Sequence, residues 1–109
     1  MRPSTVELLR DILREAEFLE TEPRRTIREA FLSNEILKRA FVRSVEVIGE
    51  AAKQVPEETR LQFPVSSGGD GMRDRLIHDY GGVDYLIVWD VAVGKAAELA
   101  AQLRAILDA

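Results

Sequence analysis

The residues of this chain with the types and spacing to do chemistry are Arg73, His78 and Tyr80, in the run Arg73-Asp74-Arg75-Leu76-Ile77-His78-Asp79-Tyr80 closed by Gly81-Gly82. His78 is the only histidine of the 109 residues. An imidazole titrates near neutrality and can either accept or donate a proton, whereas a guanidinium stays charged and presents a fork of donors that fits a phosphate. Together they suit phosphodiester cleavage through a neighbouring 2′-hydroxyl, which needs one group to take a proton, one to give a proton and a cation for the charge on phosphorus. A single chain holds one imidazole. A two-fold dimer holds two, and an axis beside the motif sets His78 opposite its copy.

On a continuous helix, five residues from Arg73 to His78 leave the two side chains roughly 140° apart. Tyr80, two residues further, points elsewhere again. Convergence requires an unwound turn, which Gly81 and Gly82 permit, or a second chain. The same residues also fit plainer roles: a helix-end cap for His78 and a solvated charge cluster for Arg73 and Arg75 among Asp70, Asp74 and Asp79. Leu76 and Ile77 face a core in either case.

The elements that position this run are helical. Ser4 and Glu7 match a capping box opening a first helix, with Val6, Leu9, Leu13, Ala16 and Leu19 or Glu20 on one stripe, Ile12 widening it, and an end near Thr21 to Pro23. Ile27, Phe31 and Leu32 suggest a short helical turn tucked under the bundle. Ser33 and Asn34 are alternative caps for a long helix reaching about Val55, and Glu35 suits the positive end of its dipole. That helix carries two apolar stripes, Leu37, Phe41, Val45, Ile48, Ala52 and Ile36, Ala40, Val47, Ala51, and the pattern predicts a central helix touching several neighbours or a second subunit. Arg43, Glu46 and Glu50 share its polar strip at spacings that allow local pairing.

Pro56 stops this helix and starts a short segment over residues 57–63. Residues 63–71, Phe-Pro-Val-Ser-Ser-Gly-Gly-Asp-Gly, are a loop. The loop lacks the lysine and hydroxyl of a P-loop and follows no strand, so it reads as a connector. A short helix from about Asp70 carries the motif to the glycine pair. Asp84 then caps a last helix, along which Tyr85, Trp89, Ala92, Ala96, Leu99, Leu103 and Ile106 recur in steps of four and three. Trp89 reads as core, and Gly94 as a point of close helix approach. With no repeat or period-two run, the pattern predicts an all-α, up-and-down helical bundle with two long helices and shorter connecting ones, in one domain over residues 1–109.

Composition agrees with one core that needs no staple: 46% of residues are hydrophobic and 6% aromatic. The absence of cysteine excludes disulfides, thiolate metal sites and cysteine nucleophiles. Fifteen Lys and Arg against 19 Asp and Glu give a net charge of −4 and a pI near 5.0, which argues against broad electrostatic binding of nucleic acid. Any RNA contact must be local, at Arg73 and Arg75, with Arg24, Arg25 and Arg28 as a second cluster that reads as a solvated loop. No targeting signal opens the chain, and the apolar window from Tyr85 to Val93 is interrupted by Asp90 and too short for a bilayer. The expectation is a cytoplasmic protein with no membrane contact.

The run from Gly71 to Asp84, followed by Ile87-Val88-Trp89, resembles the core segment of the HepT toxins of the HEPN superfamily, and Ile48-Gly49-Glu50-Ala51-Ala52-Lys53 resembles that family's other recurrent block. With the helix order, the likeness covers almost the whole chain. It implies a helical-bundle homodimer whose paired Arg and His motifs line a cleft and cleave RNA without a metal or other cofactor. By that resemblance Arg73 steadies the scissile phosphate, His78 transfers protons and Asp74, where the family more usually has asparagine, orients one of them. It also implies a cognate MNT-type nucleotidyltransferase antitoxin that silences the toxin by adding AMP to the motif tyrosine, here Tyr80. The alternative from another class is a non-catalytic dimeric subunit that docks a nucleotidyltransferase or binds nucleotide.

Overall fold

The computed structural model describes residues 1–62 and 83–108. These residues form helices joined by short turns, and no strand occurs among them. The chain opens with α1 (Pro3–Thr21), a 3-10 turn (Glu22–Arg25) and the five-residue α2 (Arg28–Leu32). The 20-residue α3 (Glu35–Gln54) and the single turn of α4 (Glu57–Arg60) follow. The C-terminal rod comprises α5 (Tyr85–Asp90), a π turn (Val91–Lys95) and α6 (Ala96–Leu107). The all-α bundle expected from the periodicity is therefore what the chain forms.

Local chemistry explains where the helices start. Asn34 caps α3, its Oδ1 accepting from the Leu37 amide at 3.0 Å, which decides between Asn34 and Ser33. Ser33 instead donates its hydroxyl to the Glu29 carbonyl at 3.2 Å, closing α2. Asp84 caps α5 through Oδ1, which accepts from Leu86 at 3.0 Å and Ile87 at 3.4 Å. The Ser4 and Glu7 capping box does not form: α1 begins at Pro3, with Arg2 at the cap position and no side-chain cap bond. Proline lacks an amide hydrogen and has its φ preset, so it can open a helix one residue ahead of the serine without a side-chain cap.

Among the described residues α1 packs against both α3 and α6. The several neighbours expected for α3 are α1, α2 and α5. Leu9, Ile12, Ala16 and Leu19 of α1 are buried together with Thr5, so Ile12 sits at the centre of the stripe and not on its edge. From α3 come Phe41, Val45, Ile48 and Ala52, while Ile36 on the second stripe is 84% exposed. The rod supplies Val88, Trp89, Ala92, Ala96, Leu99, Ala100 and Leu103. An aromatic chain crosses the layers: the Phe18 and Phe41 rings lie 5.6 Å apart edge to face, Phe31 and Phe41 4.7 Å apart, and Phe31 and Trp89 5.2 Å apart. Through it the short α2 is pinned to both long elements by Phe31, with Leu32 packed against the core beside it, while Ile27, expected to tuck under the bundle, stays 64% exposed.

Two contacts set the direction of α3 against α1. Phe18 meets Phe41, and the Ser44 hydroxyl donates to Glu15 Oε1 at 2.7 Å. As the number rises on one helix it falls on the other, so the pair is antiparallel. Gly94 does not mediate a close approach, because a Cβ built there meets no atom within 4 Å. It lies in the π turn, where the wider turn carries Val93 and Gly94 outward to solvent.

Candidate functional site

Arg73, Asp74, His78 and Tyr80 lie outside the described residues, as do the loop over residues 63–71 and the short helix expected before the glycine pair. What the structure does show is how the chain is held on either side of them. Upstream, α3 gives way to Val55, which is buried, and to Pro56, whose carbonyl accepts from the Thr59 and Arg60 amides at 3.0 Å each. Thr59, in the single turn of α4, is buried as well. Downstream, Val83 packs against the core and Asp84 holds the first turn of α5.

The return is also clamped sideways. Lys38 Nζ stands 4.5 Å from the centre of the Tyr85 ring and 2.8 Å from Glu35 Oε1. The Lys38 ammonium, donating to Glu35 and adding its positive field, holds that carboxyl below the usual carboxylate range. One cation thereby ties the first turn of α3 to the first turn of α5, a few residues after the motif. Reading the sequence alone gives no hint of this clamp, since the partners are 47 residues apart and each is unremarkable in its own helix.

At the other flank of α1, Arg104 donates through Nη2 to Glu17 at 3.1 Å and to Glu20 at 3.3 Å. Those hydrogen bonds, Glu17 first, raise the Arg104 guanidinium above its ordinary range. Glu20 also receives Arg24 at 3.5 Å, and Arg28 lies 3.6 Å from its neighbour Glu29. Two of the three arginines in the second basic cluster are thus partnered at the surface, as the solvated-loop reading of that cluster expects. Arg43 pairs with Glu46 at 3.6 Å, the local pairing their spacing allows. No group of three or more metal-binding side chains occurs among the described residues, and none of their helices is long and apolar enough to cross a membrane.

The HepT-like family, described as ribonuclease HepT-like, matches residues 4–106. The chain belongs to the HepT-like ribonuclease family. The match runs from the second residue of α1 to the last turn of α6, so the family spans the bundle and the motif segment within it. Among relatives, “Putative RNase TTE0752” of Caldanaerobacter subterraneus subsp. tengcongensis is 43% identical over 102 residues, covering 92% of this chain and 91% of that protein. “Putative RNase MJ1216” of Methanocaldococcus jannaschii is 43% identical over 81 residues, covering 72% and 67%. “Probable ribonuclease HepT” of Thermococcus cleftensis is 35% identical over 91 residues, covering 82% and 83%. No solved structure matches significantly.

Proposed function

We propose that this protein is a HepT-like ribonuclease toxin that cleaves RNA without a metal, at a cleft shared by two copies of the chain. The observation that carries the reading is the family match over residues 4–106, which encloses the one Arg, His and Tyr constellation in an otherwise core-forming chain. His78 of one protomer takes the proton of the ribose 2′-hydroxyl, and the 2′-oxygen attacks the adjacent phosphorus. The bond from phosphorus to the 5′-oxygen breaks, and the partner's His78 gives that oxygen its proton. The products are a 2′,3′-cyclic phosphate and a 5′-hydroxyl. Arg73 holds the phosphate and offsets the charge gathering on its oxygens, and Asp74 accepts a hydrogen bond that orients Arg73 or His78.

Silencing follows from the same segment. A nucleotidyltransferase antitoxin transfers AMP from ATP to the Tyr80 hydroxyl with release of pyrophosphate, placing a bulky anion where RNA phosphate would enter. The test is cleavage of a labelled RNA in excess EDTA by wild type and His78→Ala, with circular dichroism as the folding control. Activity in the wild type that disappears in the variant, with helicity kept, is the expected result; equal activity in both overturns the reading. The net charge of −4 favours a second reading, a non-catalytic subunit that docks the nucleotidyltransferase. Incubation with that partner and ATP, followed by intact mass, separates the two: an adduct on Tyr80 from a protein that never cuts RNA supports the second.

A further inference from the structure

We infer that the outer face of α3 is where a second copy of this chain docks, antiparallel across a two-fold axis. The inference rests on the homodimer of the proposed function and assigns its surface. Ile36, Ala40, Arg43 and Val47 follow one another in steps of four, three and four, the spacing of a helix seam that packs at a shallow angle. The intramolecular neighbours of α3 cover its other stripe, through Phe41, Val45, Ile48 and Ala52. Ile36 is left 84% exposed, and Ala40 and Val47 half-buried. Beside this stripe α1 and α3 leave an open groove of about 380 Å³, lined by Phe18, Ala40 and Ser44 with Arg14, Glu15 and Arg43 on its walls.

Charge identifies the occupant. A two-fold axis passing between residues 41 and 42 sets Ile36 against the partner's Val47 and Ala40 against the aliphatic stem of the partner's Arg43. The positions flanking that seam are Arg39 and Glu46, seven residues apart and so unable to meet within one helix. Among the described residues Arg39 closes no salt bridge, its charge acting only at longer range on Glu35, while Glu46 takes the side-by-side contact from Arg43 at 3.6 Å. In the antiparallel pair Arg39 faces the partner's Glu46, and symmetry repeats the contact, giving two ion pairs that shield an apolar seam.

The chain has no cysteine, so engineered thiols report cleanly. Residues 36 and 47 stand roughly 16 Å apart along one helix, well beyond the about 7 Å between Cα atoms that a disulfide spans, so a double variant can close only between chains. On mild oxidation Ile36→Cys/Val47→Cys should run as a covalent dimer on non-reducing gels, while Ile36→Cys and Val47→Cys alone stay monomeric. Independently, Arg39→Glu should raise the dimer Kd roughly tenfold, two attractions becoming two repulsions, and Arg39→Glu/Glu46→Arg should restore it. Arg39 is exposed and Glu46 half-buried, so these variants keep the test available if the cysteine variant fails to fold. A wild type that dimerises in solution without the covalent species or the charge-swap rescue overturns this face and leaves the ribonuclease reading intact. A wild type that stays monomeric at every concentration tested overturns the face and the shared cleft together.

Discussion

The two faces of α3 are built from the same residue types at the same spacings and meet opposite fates. Its inner stripe, Phe41, Val45, Ile48 and Ala52, is at most 6% exposed and sits against α1 and the aromatic chain of Phe18, Phe31 and Trp89. The outer stripe is led by Ile36 at 84% exposure, with Ala40 and Val47 half-buried and only Ala51, at its C-terminal end, in the core. Hydrophobic periodicity therefore says how many faces a helix must cover, but not whether the cover comes from its own chain or from another.

That contrast can be broken most directly at Phe41. Phe41→Ala removes a fully buried ring touching two other rings and should cost about 3–5 kcal/mol of folding stability by urea denaturation. A loss under about 1 kcal/mol would mean that the inner face is not the core it appears from its burial. Asn34→Ala acts on the whole helix and not on one face, because it strips the amide acceptor at 3.0 Å from the first turn. It should cost about 1 kcal/mol in the same experiment, sharpening the comparison by showing what belongs to α3 itself. At the outer face, Ile36→Ala should change the stability of the monomer by no more than about 0.5 kcal/mol, measured at concentrations too low for association. A loss as large as that at Phe41 would show that Ile36 has an intramolecular partner.

Much of the architecture was legible before any coordinates. Asn34 and Asp84 announce helix starts because a cap is a contact between a side chain and an amide two or three residues away, entirely within reach of local sequence. Ser4 and Glu7 misled for the same reason: the local signal is genuine, but Pro3 offers a cheaper opening one residue earlier. Trp89 was readable as core from the seam of the last helix, and it is 9% exposed. Gly94 was not readable, since a π turn moves a residue off the expected face and leaves no mark in composition. The candidate site was legible as a constellation of Arg73, His78 and Tyr80 with Asp74, because its signal is residue type and spacing.

By itself the sequence determined that the chain is helical, where its long helices lie and which of their faces are apolar, since each of these depends on neighbours a few positions away, and it nominated Arg73, Asp74, His78 and Tyr80 as the candidate site by residue type and spacing. Only the tertiary structure decided that, among the described residues, α1 takes both α3 and α6 as neighbours. It alone set Lys38 over Tyr85, and Arg104 between Glu17 and Glu20 across as many as 87 residues of chain. Such contacts follow from how whole helices stack. That choice is made by packing summed over entire faces, and no single spacing along the chain encodes it.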